Sequence, residues 1–122
     1  MVSWNNLDTL SSYKELADVK PACLTEVMSG DNGAERVKNY SVPMAAGLSY
    51  NYASKQINEN VLAALEKLAD EAQLADKFKA LYNGEVVNTG EKRLVLHHMT
   101  RGQLGDAVEA DGVDKRTFYK TQ

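Results

Sequence analysis

The stretch 81–101, LYNGEVVNTGEKRLVLHHMTR, restricts the fold of this chain more than any other. Its first half, from Asn83-Gly84-Glu85 to Asn88-Thr89-Gly90-Glu91, is dense in turn formers. Gly84 and Gly90 permit tight backbone geometry, and Val86 and Val87 suit a brief strand between them. The second half is apolar and fits a helix that begins near Thr89 or Gly90 and ends at Arg101. On that helix Val95 and Met99 share one face and Arg93 and His97 another, while His97 and Arg101 lie one turn apart. Such periodicity specifies packing and names no reaction.

The same residues carry a resemblance. The order Gly84, Glu85, Val87, Asn88, Glu91, Arg93, Val95, Leu96, His97 and Arg101 resembles the N-terminal signature of the glucose-6-phosphate isomerase family. That signature reads F-x-G-E-x-I-N-x-T-E-x-R-A-V-L-H-x-A-L-R. The spacing is kept without a gap, with Tyr82 for the aromatic, Val87 for isoleucine, Gly90 for threonine and Leu94 for alanine. Met99 and Thr100 stand in place of Ala-Leu. A weaker likeness lies upstream, where Asn51-Tyr52-Ala53-Ser54-Lys55 takes the place of an Asp-Tyr-Ser-Lys-like motif and keeps only its serine and lysine in register. The following Gln56-Ile57-Asn58-Glu59 is one residue shorter than the commonest spacing.

The resemblance implies a cytoplasmic enzyme that interconverts glucose 6-phosphate and fructose 6-phosphate by acid–base chemistry without a cofactor. Such an isomerase needs a positioned base, acid–base assistance for ring opening and donors for a developing enediolate. It also needs a nest of hydroxyl and backbone donors for the sugar phosphate. In the resembled enzymes all of these come from later segments, and none of their motifs occurs in this sequence. Gly84, Glu85, Asn88, Glu91, Arg93, His97 and Arg101 are therefore read as signature residues with structural roles. No residue is assigned to catalysis, substrate, cofactor or metal, and the isolated chain is expected to be inactive. The partners implied are the remainder of the parent enzyme, its second copy in a homodimer, and a sugar phosphate bound only by the complete enzyme.

Ahead of the signature, Trp4, Leu7, Leu10, Tyr13 and Leu16 recur at near-helical intervals and predict a short helix over 7–16 with Leu7 and Leu10 inward. Trp4 anchors its start or, alternatively, faces another chain. Pro21 opens a second short helical pattern through Met28, and Ser29-Gly30-Asp31-Asn32-Gly33 predicts an abrupt stop, with another helical turn at 34–39. Around 40–52 the pattern turns extended. Residues 40–44 and 48–52 are expected to pair as a hairpin, with Pro43 at an edge. Asn58 caps the longest helical pattern, which runs to Leu81 as one helix or as two broken near 70–73. After Arg101, Gly102 and Gly105 end the signature helix, and Asp111-Gly112 turns a last pair of short arms. Phe118 and Tyr119 then lie close to the terminus, and the sequence reads as continuing beyond Gln122.

Cys23 sits between Ala22 and Leu24 with no neighbour that would activate a thiolate, and is read as a buried or inert thiol. His97 and His98 point to different sides of the predicted helix and do not chelate. Ser54 and Lys55 could contact an anion at a helix entrance, although capping and solvation explain them as well. Glu91, Arg93, His97 and Arg101 could form an ionic ladder on the predicted helix, although Glu91 is too far along it to meet His97 directly. The structural reading is that Arg93 and Arg101 pair with carboxylates or backbone carbonyls and that His97 bonds another element. The alternative is that one of them touches the complete enzyme's substrate pocket or subunit interface.

The fold class expected is α+β, predominantly helical with one or two short β-hairpins, as the incomplete N-terminal part of a larger α/β sugar-isomerase enzyme. It is read as one segment over 1–122, with the hairpin at 40–52 and the signature at 81–101. The composition, 43% hydrophobic and 25% charged, fits a globular segment. A net charge of −3 offers no basic field for nucleic acid, and no apolar run is long enough to cross a membrane. There is no secretory leader pattern, and one cysteine excludes an internal disulfide. The competing reading is a stand-alone helical interaction module with Trp4, Phe118 or Tyr119 on its partner surface.

Overall fold

A computed structural model describes residues 1–101 and 105–122. It divides the chain into two units, one built from residues 10–68 and the other from residues 1–9 and 69–122. The fold is mixed α+β, predominantly helical, with three short antiparallel hairpins among the described residues.

The unit of residues 10–68 starts with α1 (Ser11–Asp18), preceded by a separate 3-10 turn at Leu7–Thr9. The single helix expected over 7–16 is thus two pieces, and Leu7 is exposed where it was expected inside. Leu10 breaks the pattern with extended backbone at ψ 145°. After α2 (Leu24–Val27) the chain does not stop at the 29–33 cluster; α3 (Gly30–Asn39) starts there. Its two glycines serve a corner. Gly30 adopts φ +56°, and Gly33 lies so close to α2 that a Cβ would sit 2.5 Å from the Met28 carbonyl oxygen.

Strands β1 (Ser41–Pro43) and β2 (Ser49–Asn51) then pair antiparallel, with Val42 opposite Tyr50, as the alternation at 48–52 predicts. Pro43 is tolerated because a two-stranded sheet has only edges. Asn58 caps α4 (Glu59–Glu71) by accepting from the Val61 N–H at 2.9 Å. Its amide also donates to the Lys20 carbonyl, tying α4 to the connection after α1.

This unit closes on Arg36, which is 7% exposed. Its Nε donates to the Ala53 carbonyl at 2.8 Å, and its Nη2 to the Lys55 and Ile57 carbonyls at 2.9 and 2.6 Å. Three orphan carbonyls of the 53–57 loop are satisfied by one rigid fork. The guanidinium lies 4.0 Å from the centre of the Tyr40 ring, which also packs on Tyr52 at 5.1 Å.

In the other unit, α5 (Leu74–Tyr82) follows Gln73, whose left-handed φ of 54° is the break left open by the sequence. Trp4 belongs to this unit, with the Lys77 ammonium 5.6 Å from its ring centre, and the Ser3 N–H donates to the Gln73 side chain. Next come β3 (Val86–Asn88) and β4 (Arg93–Leu94), a 3-10 turn at His97–Arg101, β5 (Glu109–Ala110), β6 (Val113–Asp114) and α6 (Lys115–Lys120). Asp111 and Gly112 both take positive φ, 54° and 73°, so the Asp-Gly dipeptide makes the mirror-image turn that suits strand twist. Met99 is fully buried and Val108 is 5% exposed. No helix among the described residues is long and apolar enough to cross a membrane.

Candidate functional site

The signature segment does not form the helix that its apolar half suggests. It is a helix cap, a hairpin and a 3-10 turn in succession. Gly84 is the left-handed residue at the end of α5, with φ +72°. The Glu85 N–H donates to the Ala80 carbonyl at 2.9 Å and the Gly84 N–H to the Leu81 carbonyl at 3.1 Å, the paired bonds of a Schellman ending. A Cβ on Gly84 would press into both Val108 methyls, at 2.9 Å from Cγ2 and nearer still to Cγ1. Two demands, positive φ and contact with Val108, meet at this one residue. Glu85 contributes its backbone to the cap, and its side chain is exposed.

Asn88, Glu91 and Arg93 build the turn of the β3–β4 hairpin. The Asn88 side-chain Oδ1 accepts from the Glu91 N–H at 3.1 Å, and its Nδ2 donates to the Glu91 carboxylate at 3.3 Å. Lys92 takes φ 53°, and the register shifts between Val86 and Asn88. Arg93 pairs with Asn88 across the hairpin and lies 3.7 Å from Glu91, with both side chains exposed. The expected pairing of Arg93 with a carboxylate is present, but in a turn. A helix from Gly90 is excluded by Lys92 in left-handed backbone and by the Asn88 side chain, which closes the loop on Glu91. The face-sharing of Val95 with Met99 and of Arg93 with His97 falls with it, as does the ionic ladder.

His97 and Arg101 lie on the 3-10 turn, where the Thr100 hydroxyl donates to the His97 carbonyl at 2.9 Å. With His98 and Thr100 they line a concavity of about 500 Å³. His98 stacks on Tyr82 at 4.6 Å, and its Nε2 is buried with no hydrogen-bond partner among the described residues. The expectation that Gly102 helps end this segment falls outside the described residues. Cys23 is exposed rather than buried, with its sulfur 3.1 Å from the Thr25 hydroxyl. Ser54 and Lys55 do not stand at a helix entrance, because Asn58 caps α4 and Lys55 instead offers its carbonyl to Arg36.

Two residues outside the signature organise the C-terminal end of this unit. Asp114 caps α6, accepting from the Arg116 N–H at 3.0 Å, the Thr117 N–H at 3.3 Å and the Thr117 hydroxyl at 2.5 Å. The Thr117 hydroxyl bond, helped by the backbone N–H groups of Arg116, Val108 and Thr117, holds its carboxyl below the usual aspartate range. Arg116 is 6% exposed, and it donates through Nε to the Asp106 carbonyl and through Nη2 to the Tyr82 carbonyl. The Asp-Lys-Arg-Thr order was a readable cap signal for Asp114. Nothing in the sequence singles out Arg116.

A capped helix, a stitched hairpin and an arginine brace define an α+β scaffold in which Gly84 ends a helix and Asn88 and Glu91 close a turn. The sequence pattern described as phosphoglucose isomerase matches residues 51–120, and the chain belongs to that family. It is 44% identical to a glucose-6-phosphate isomerase of Treponema denticola across 97% of this chain, and 42% identical to one of Borreliella afzelii across all of it. A glucose-6-phosphate isomerase of Pseudomonas aeruginosa is 41% identical across 66% of the chain. The chain spans 23% of the length of the first two relatives and 14% of the third.

Proposed function

We propose that this chain is the N-terminal structural part of a cytoplasmic, homodimeric isomerase that interconverts glucose 6-phosphate and fructose 6-phosphate. On this reading it braces the segments that hold the sugar phosphate and move the proton, and it turns over no substrate alone. The observation that carries the reading is the use of the signature. Gly84, Asn88 and Glu91, which carry the family resemblance, all serve a cap or a turn.

Surface supports it. The chain exposes 9160 Å², whereas two separate globules of half its mass each would together expose about 7,800 Å². Leu74 and Phe78 on α5 are 60% and 59% exposed and border a largely apolar concavity of about 570 Å³. That surplus is what a scaffold offers to the rest of its enzyme. It equally favours the second reading, an interaction module whose partner is another protein.

Mass spectrometry of the protein expressed from its native locus separates the two. The isomerase reading expects a species several times heavier with this sequence at its N-terminus. A dominant native species ending at Gln122 would overturn it and make the module reading primary.

A further inference from the structure

Helix α5 carries apolar residues on two opposite sides. Ala80 is buried at 2% exposure, while Leu74 and Phe78, one turn apart on the other side, stand open. A helix that is apolar all round belongs to the interior of a larger core. The concavity beside Leu74 and Phe78 is lined also by Ala69, Asp70, Ala75 and Lys79, and Lys79 is paired with Asp76 at 3.5 Å. Apolar surface of this kind suits a permanent interface better than a transient one.

Two observations point to what covers this face. The chain spans 23% of its Treponema denticola and Borreliella afzelii relatives, so more than three quarters of each relative lies outside the matched region. The other observation is where the last helix is held. Arg116 of α6 donates through Nη2 to the carbonyl of Tyr82, the C-terminal residue of α5, and the Tyr82 ring packs on Phe78 at 5.2 Å. At about 1.5 Å per residue α5 is about 14 Å long. About ten extended residues after Gln122, at roughly 3.3 Å each, would therefore reach any point along it.

We propose that the Leu74–Phe78 face of α5 is an intramolecular docking surface. Its occupant is the part of the parent chain that follows Gln122, which seats apolar side chains against Leu74 and Phe78. The proposal rests on the isomerase reading, because it requires the longer chain.

The test is hydroxyl-radical footprinting of two unmodified proteins, the species expressed from the native locus and the 122-residue chain. Oxidation of Leu74 and Phe78 is read by peptide mass spectrometry, with fully buried Met99 as the reference for a side chain already covered. Covering side chains that now stand 60% and 59% exposed should slow their oxidation in the longer protein by roughly fivefold or more. A longer protein in which both oxidise as fast as in the 122-residue chain overturns the docking and leaves the isomerase reading standing. Protection that is lost on dilution puts a second copy on the face and likewise overturns the docking alone. A native species that ends at Gln122 overturns both.

Discussion

Gly84 shows how one residue can be held by two separate constraints. Its backbone is left-handed, which costs a residue with a Cβ about 1–2 kcal/mol. The Cβ would also collide with Val108, and overpacking of this kind costs about 1–3 kcal/mol. Gly84→Ala should therefore destabilise the chain by about 2–4 kcal/mol in urea unfolding. Adding Val108→Ala should recover part of that loss, the part due to collision, because the backbone cost remains. Full recovery in the double variant would mean that φ at this position does not matter.

Asp114 acts at the same scale through charge. Its folded-state pKa lies below the ordinary aspartate value, first through the Thr117 hydroxyl and then through backbone N–H groups. A depressed carboxyl stabilises the fold fully above its unfolded pKa, and that contribution is lost as pH falls through the folded one. Acid unfolding should thus become less steep in Asp114→Asn. In Thr117→Val the Asp114 carboxyl, followed by carbon-13 NMR, should titrate at higher pH than in the parent. An unchanged titration in Thr117→Val would refute the assignment of its cause.

Among the elements, the 53–57 loop depends most on a single side chain. Arg36 satisfies three of its carbonyls, and no other residue type can reproduce that fork. Arg36→Ala should cost about 3–5 kcal/mol, and Arg36→Lys should rescue it only in part, in denaturant unfolding followed by circular dichroism. Equal stability of the Lys and Ala variants would show that charge contributes nothing at this site. A loss below about 1 kcal/mol in Arg36→Ala would show that the carbonyls find water instead.

What the sequence disclosed about these elements followed the range of each interaction. The Asn58 cap, the 40–52 hairpin and the Asp111-Gly112 turn are set by residues within a few positions of one another, and each was legible. The 94–96 run, Leu-Val-Leu, fits helix and strand periods alike, and the Asn88–Glu91 turn decides between them. Arg36 and Arg116 were illegible for another reason. Their partners are backbone carbonyls 17 to 21 and 10 to 34 residues away, and a carbonyl leaves no mark in sequence. The signature was recognisable as a pattern while its conformation was not, because spacing identifies a family without stating which bonds the residues make.

At the scale of the whole molecule, membership of a family does not by itself confer its activity. The chain belongs to the phosphoglucose isomerase family and spans 23% of its Treponema denticola and Borreliella afzelii relatives. Within its signature Gly84 ends α5 and the Asn88 and Glu91 side chains close a turn, and Leu74 and Phe78 on α5 are exposed. The most direct test is a coupled assay of fructose 6-phosphate conversion to glucose 6-phosphate by the purified 122-residue chain, read as NADPH formed by an added dehydrogenase. The account predicts a rate equal to that of buffer at every chain concentration. A rate that rises in proportion to the chain, and persists after a further purification step removes any longer isomerase, would contradict it.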